Sequence, residues 1–319
     1  MQRLTSRARR RLEGERGASA VVLALLLVPM LGFAAIAVDI GALYAERARL
    51  QVAADAAAIA VAQDCSRGNC GDMLATAQTL IRLNDPTGTA GQPVLSSDPL
   101  SVTVTGGAPK EHWFAPVIGH DSTQVSATAT VGWGAPSQGT AVLPLTFSYC
   151  AFEKQTKGAI PSDEISQLIK LTKTDDAPEC HPKSGNQIPG GFGFVQTGSA
   201  GCGTASVIDG VLKSDNGESP SAGCDPEDFA SYLGTTVLLP IFDEAGGNGV
   251  HGWYRVYGYA AFRLTGYSFT GRYKSDPQPC KGEERCITGY FTRFVELSDA
   301  WNYSPTAPQT GANILRLIR

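Results

Sequence analysis

An uninterrupted apolar stretch near the amino terminus constrains this chain more than any other feature. Residues 17–38, GASAVVLALLLVPMLGFAAIAV, contain no charged side chain. As a helix they would rise about 33 Å at about 1.5 Å per residue, enough to cross a hydrocarbon core of about 30 Å. The sequence therefore predicts a transmembrane helix over 17–38, with the lipid bilayer as one partner of the chain.

The charges on either side of this stretch predict its orientation. Residues 1–16 form a basic tail with six arginines and two glutamates, a net charge of +4. Because flanks rich in Lys and Arg stay in the cytoplasm, we expect the amino terminus inside and about 280 residues outside. The whole chain has 26 basic and 30 acidic side chains, so 20 and 28 lie beyond the tail, a net of −8. That acidity argues against a nucleic-acid partner.

A cleaved secretory signal is the alternative to a retained span. Ala35-Ile36-Ala37 has the small-x-small pattern of a signal peptidase site after an apolar run. The apolar stretch is longer than a usual signal, however, and the helical pattern continues through this site, which favours retention. Both interpretations export the rest of the chain.

Eight cysteines lie beyond the span, an even number that predicts disulfides in an oxidising compartment. The short spacing of Cys65 to Cys70 and of Cys280 to Cys286 favours local pairing within each couple. The other four, Cys150, Cys180, Cys202 and Cys224, can pair in three ways, among which the sequence does not choose. We expect three or four disulfides.

Two kinds of chemistry compete with this interpretation. Thiolates also bind zinc, but the sequence has no C-x2-C and its four histidines are scattered, so we expect no metal site. Cys202 between two glycines would be a nucleophile if His251 acted as its base, although an even cysteine count makes a disulfide the better interpretation. Calcium at Asp243-Glu244 is a more remote alternative to surface charge. No motif indicates a cofactor, a small-molecule substrate or an enzyme.

The segment after the span predicts a second helical region rich in alanine. Residues 39–64 lack proline and place small apolar residues on one side, and the candidates for helix packing are Leu50, Ala54, Ala57 and Ala58. Alanines allow another backbone to approach closely, so this face packs against a neighbouring helix or inside its own domain. The pattern leaves both alternatives open.

The remaining sequence predicts an α+β protein. A helix around 72–85 and alternating strands at 101–105 and 122–133 complete a small α+β unit over 39–134. The small, turn-forming residues 134–140 predict a boundary, after which aromatic residues indicate a mostly-β, disulfide-containing domain over 140–319. Its strands are expected at about 141–149, 235–242, 253–270 and 287–297, with one helix around 162–172.

Several motifs near the amino terminus together resemble the TadE/TadG-like family of Tad, or Flp/type IVb pilus assembly, proteins. They are the small residues that open the span, Pro29 within it, Val38-Asp39-Ile40-Gly41 at its end, and the run from Leu50 to Ala58. The resemblance covers about residues 10–133 and extends more loosely to the stretches AVLPLTFSYC (141–150) and IPGGFGFV (188–195). It implies a transmembrane helix that continues into a pilin-like helix, in the bacterial cytoplasmic membrane.

The resemblance also implies a function and partners. Members are membrane-anchored accessory proteins of pilus machines, so we expect a non-catalytic minor pilin-like component or scaffold that binds other Tad/Flp or pilin-like membrane proteins. Val22 stands where prepilins of this superfamily carry glutamate. No Asp-x-Ser-x-Ser loop of a von Willebrand A metal site is present. The alternatives are a surface adhesin without that metal site and an exported hydrolase.

Overall fold

The computed structural model describes the backbone of residues 3–162, 164–171, 180–182, 184–198, 201–215 and 219–318. Side chains are described for the same residues from Ser19 onwards, except Val250. Within these ranges an amino-terminal helix precedes a mostly-β region, which confirms the α+β class.

The described residues contain four α-helices and fifteen strands. The helices are α1 (Arg3–Ser66), α2 (Met73–Asn84), α3 (Tyr149–Thr156) and α4 (Pro226–Ser231), and two 3₁₀ turns span Ala115–Ile118 and Gly249–His251. The strands are β1 (Thr89–Ala90), β2 (Val94–Ser97), β3 (Leu100–Glu111), β4 (Ser122–Ala141), β5 (Leu145–Ser148), β6 (Gln167–Lys170), β7 (Phe192–Phe194), β8 (Thr204–Val207), β9 (Val211–Lys213), β10 (Thr236–Gly246), β11 (Trp253–Ser268), β12 (Cys286–Thr292), β13 (Phe294–Leu297), β14 (Asn302–Ser304) and β15 (Ala312–Ile318).

The chain divides into two compact units that interleave along the sequence. Unit 1 consists of Met1–Ala58, Met73–Pro93 and Thr103–Ala129, and unit 2 consists of Ile59–Asp72, Val94–Val102 and Thr130–Arg319. The last division falls within β4, a few residues before the predicted boundary at 134–140.

Unit 1 packs its helices on a small antiparallel sheet. Strand β1 pairs with β3, with Thr89 opposite Gly107 and Ala90 opposite Gly106. Helix α2 buries Ile81, whose side chain occupies the space beside Gly106 and Gly88. A Cβ on Gly88 would lie 2.7 Å from Ile81 Cγ2. Glycine at these two positions therefore allows α2 to approach the sheet closely.

A seven-stranded sheet of unit 2 has the strand order β6-β12-β11-β10-β5-β7. The remaining strand, β9, pairs with the first residues of β11. The long hairpin of this sheet, β10 and β11, is antiparallel, whereas β5 lies parallel to β10. Inward-facing phenylalanines fill the core, and Phe147 packs against Phe192, Phe262 and Phe291 at centroid distances of 4.7 to 6.4 Å. Each fully buried ring contributes about 1.5–3 kcal/mol through loss of its water contact. The strands expected at 235–242, 253–270 and 287–297 are confirmed.

Residues 134–140, whose small and turn-forming residues predict a boundary, do not interrupt the strand. They continue β4, where Gly134 and Gly139 lie beneath the rings of Tyr303 and Trp301. A Cβ on Gly134 would lie 2.9 Å from Tyr303 Cδ2. The small residues at these positions make room for aromatic rings on an extended strand, a use of glycine that sequence alone does not distinguish from a turn.

The helix expected around 162–172 is wrong. Residues 167–170 form β6, which pairs antiparallel with β12 and buries Ile169 opposite Ile287. Pairing with an existing strand overrides the local helix propensity of this short segment. Residues 163 and 172 lie outside the described residues.

All eight cysteines belong to unit 2 and form four disulfides. The two expected local pairs, Cys65–Cys70 and Cys280–Cys286, are confirmed. The structure also selects one of the three connectivities that the sequence left open, with pairs Cys150–Cys180 and Cys202–Cys224. No cysteine is free.

We expect loss of the Cys202–Cys224 disulfide to destabilise unit 2 more than loss of Cys280–Cys286. The first closes a separation of 22 residues and the second one of 6. Chain-entropy arguments give about 3 kcal/mol for the longer loop and about 2 kcal/mol for the shorter one. Denaturant unfolding of the paired Cys→Ser variants, C202S/C224S and C280S/C286S, measures both. Equal losses, or a larger loss for the shorter loop, would contradict this ranking.

Candidate membrane-proximal site

Between Ser19 and Val38, α1 is apolar on every side and is mostly not covered by the described part of the chain. One helix is long and apolar enough to cross a membrane, and none of its most apolar window is buried. Phe33, for example, is 73% exposed. The helix continues through Pro29 without a break. A helix that is hydrophobic all round requires a bilayer or other protein to cover it.

Asp39, the first charged residue after this stretch, fixes a distant loop against α1. Its carboxylate accepts hydrogen bonds from the backbone N–H groups of Trp113 at 2.9 Å, Phe114 at 3.1 Å and Ala115 at 2.8 Å. Burial raises the pKa of Asp39. The three backbone donors and the nearby His112 together lower it by more, so the net pKa lies below its usual value. The carboxylate therefore remains charged while it binds the loop.

The loop held by Asp39 comprises residues 113–118, WFAPVI, and we call it the apolar loop. Its second half forms the 3₁₀ turn Ala115–Ile118, which ends at Gly119 with a left-handed φ of 89°. Where the loop leaves β3, the backbone N–H of His112 donates to the backbone carbonyl of Asp121 at 3.0 Å. Sequence analysis missed this arrangement, although the acidic residue directly after the span and the uncharged aromatic segment are both visible in the sequence.

The helix-packing candidates Leu50, Ala54, Ala57 and Ala58 are all fully buried within the chain. Leu50 packs with Ala108 of β3 and with Val125 and Ala127 of β4. This burial favours packing inside their own domain over docking on a neighbouring helix, of the two alternatives that the sequence left open.

We expect Ala57→Leu to destabilise unit 1, because a larger side chain at a fully buried position overpacks the core. The expected cost is about 1–3 kcal/mol. Ala48→Leu is the matched control, since Ala48 is exposed on the same helix and should tolerate the change. Denaturant unfolding measures both variants. Unchanged unfolding of Ala57→Leu together with lost binding to pilus components would favour the intermolecular alternative.

A buried cluster of charged groups, also missed by sequence analysis, lies farther along α1. Glu46 and Asp85 are both nearly inaccessible to solvent, and Lys110 Nζ lies 3.3 Å from Glu46 Oε2. A hydrogen bond between the two carboxyl groups, together with burial, raises the pKa of Glu46. The same hydrogen bond lowers the pKa of Asp85. Glu46 therefore holds a proton more readily than a free glutamate does, and Asp85 less readily than a free aspartate.

This pair predicts that the stability of unit 1 falls as pH rises. Because folding raises the pKa of Glu46, the folded state holds its proton more tightly than the unfolded state does. The resulting stabilisation is complete below the ordinary glutamate pKa of 4.5 and is lost as pH rises through the raised value. Glu46→Gln keeps a donor to Asp85 without titrating, so its free energy of unfolding should decline less with pH above 4.5.

Denaturant unfolding across this pH range measures the difference. Glu111→Gln, which removes an exposed carboxylate from the same strand as Lys110, is the matched control and should preserve the slope of the parent chain. Equal slopes for Glu46→Gln and the parent would contradict the raised pKa of Glu46.

The remaining candidate sites of the sequence are a nucleophile at Cys202, a zinc site and a calcium site at Asp243-Glu244. The Cys202 Sγ is bonded to Cys224, so it is not a thiolate nucleophile in this structure. Asp228 lies close to both sulfur atoms, but a disulfide lacks the thiolates that zinc requires. Glu244 forms an ion pair with Arg255 at 3.2 Å. Burial, followed by the charge of Glu244, raises the pKa of Asp243.

Comparison with known protein families identifies the segment that carries the span and Asp39. Residues 17–64 match the Tad family, described as "Putative Flp pilus-assembly TadE/G-like". The amino-terminal segment is TadE/G-like. The matched residues include the apolar stretch, Glu46 and the packing face from Leu50 to Ala58. Comparisons of the chain with curated proteins and with solved structures gave no match.

Proposed function

We propose that the protein is a non-catalytic, membrane-anchored component of a bacterial Tad/Flp pilus assembly or secretion machine, either a minor pilin-like subunit or a scaffold. One observation carries this proposal: the TadE/G-like match covers the helix whose apolar surface the described chain leaves uncovered. A helix of this kind is stable only when lipid or neighbouring membrane helices surround it.

The proposed location is the cytoplasmic membrane, crossed once. The net charge of +4 on residues 1–16 favours a cytoplasmic amino terminus. The four disulfides of unit 2 favour an oxidising compartment for the opposite side. Both observations point to the same topology.

The proposed contact with other pilin-like helices uses the exposed side of α1 rather than its buried alanine face. Small residues recur there at spacings of three and four and are all exposed, namely Ala34, Ala37, Gly41, Ala45 and Ala48. A Cβ on Gly41 would meet nothing within 4 Å. This spacing allows close backbone approach of a second membrane helix, and it agrees with a role in assembly.

Photo-crosslinking in native membranes tests this role. We expect a benzophenone amino acid in place of Ala37 to crosslink to another Tad/Flp component, because Ala37 lies on the exposed small-residue side. Ile36 is the matched control, since it lies about 140° around the helix from the centre of that side at about 100° per residue. Mass spectrometry of the crosslinked bands identifies the partner.

The outcomes separate the alternatives. Crosslinks from Ala37 to pilus components, together with loss of pili in a deletion strain, support the assembly role. Normal pili in the deletion strain and no pilus component among the crosslinks would overturn it. Binding of the exported part alone to cells or matrix would instead favour the adhesin.

A further inference from the structure

We propose that the apolar loop, residues 113–118, inserts into the outer interface of the lipid bilayer and forms a second membrane contact beside the transmembrane helix. This inference rests on the proposed function for the span itself. It adds a surface of the exported part of unit 1 that meets lipid directly.

The first observation is the exposure of large apolar side chains within six consecutive residues. Trp113 is 73% exposed, Phe114 47%, Val117 90% and Ile118 72%. Within the described residues Trp113, Val117 and Ile118 are mostly uncovered, and Phe114 is about half covered. A contiguous apolar patch of this kind marks a surface that meets another apolar phase or a partner.

The second observation is the position of the loop along α1. Three of its backbone amides bind the carboxylate of Asp39, and Asp39 directly follows Val38, the last residue of the apolar stretch. The loop is therefore held at the level where the span leaves the hydrocarbon. At that level side chains that reach about 5–10 Å enter the boundary between head groups and acyl chains.

The third observation is that the backbone N–H groups of residues 113, 114, 115 and 117 are hydrogen-bonded within the chain. Asp39 accepts from residues 113–115, and Pro116 has no N–H. The N–H groups of Val117, Gly119 and His120 donate to carbonyls of Phe114, Pro116 and Ala115, respectively. Because an unpaired amide costs several kcal/mol in an apolar medium, this pairing suits a segment that leaves water.

Lipid fits this surface better than a protein partner does. The loop has no charged side chain, and it begins with a tryptophan, the residue enriched where apolar chains meet head groups. It is also bound to Asp39, directly after the apolar stretch that the proposed function places in the membrane. A single bilayer thus covers both surfaces.

Fluorescence quenching by brominated lipids tests the proposal. The full-length chain is placed in nanodiscs of phosphatidylethanolamine and phosphatidylglycerol, with bromine near the head-group end or near the terminus of the acyl chains. We expect tryptophan emission to be quenched most strongly by bromine near the head groups, and most of this quenching to disappear in Trp113→Phe. Trp253→Phe, which removes a half-buried tryptophan of β11, should retain it.

A second variant tests the insertion without removing the fluorophore. In Val117→Asp/Ile118→Asp, two carboxylates replace two largely exposed apolar side chains of the loop, and charges there oppose entry into the interface. We expect lost quenching of Trp113 with an unchanged circular dichroism spectrum and unchanged disulfides. Asp39→Ala, which removes the acceptor for three amides, should speed hydrogen exchange at residues 113–115.

The contradicting outcomes are distinct. Quenching that is the same in Trp113→Phe and the parent chain would overturn lipid contact at this loop. A blue-shifted Trp113 emission without quenching would show that protein covers the loop, which also overturns the proposal. Release of the chain from membranes by alkaline carbonate would overturn the span and this inference together, whereas retention with an unquenched Trp113 would overturn only the inference.

Discussion

The apolar surface of α1 between residues 17 and 38 is the constraint on which the rest of the structure depends. Removal of apolar area from water contributes about 25 cal/mol for each Å². Burial of a helix that is apolar on every side, in lipid or against protein, is therefore strongly favourable. The described chain provides no such burial for this part of the helix, whereas it buries the following face from Leu50 to Ala58 completely. A single continuous helix thus has two environments, and Asp39 lies where one changes to the other.

Asp39 shows how a charge can serve at such a boundary. A carboxylate beside an apolar span would normally be costly, but three backbone donors replace its water contacts. The same bonds hold the segment between β3 and β4 against α1. They act together with Leu50, which packs on β3 and β4 farther along the same helix.

The parts of the fold that depend on local pattern were predictable from sequence. The apolar span, the packing face of α1, the strands rich in aromatic and β-branched residues and the two short disulfides all follow from composition and spacing. The structures of residues 134–140 and 167–170 have a different origin. Rings of Trp301 and Tyr303, and the edge of β12, lie far away in sequence and decide the structure of those segments.

The candidate site was predictable only in part for the same reason. The pairing of Glu46 with Asp85 and that of Asp39 with residues 113–115 join groups separated by 39 to 76 positions in the chain. The spacing of apolar residues along the sequence does not indicate contacts between such distant groups. The family resemblance located the segment, and the geometry of the carboxylates within it required the fold.

The continuity of α1 has a mechanical consequence for the part of unit 1 that follows the apolar stretch. No flexible linker separates residues 17–38 from the helix that packs on β3 and β4, and the carboxylate of Asp39 secures the junction. Advance of the helix by one residue moves it about 1.5 Å along its axis and turns it by about 100°. If residues 17–38 turn about the helix axis, the strands packed on the later part of α1 must therefore turn through the same angle.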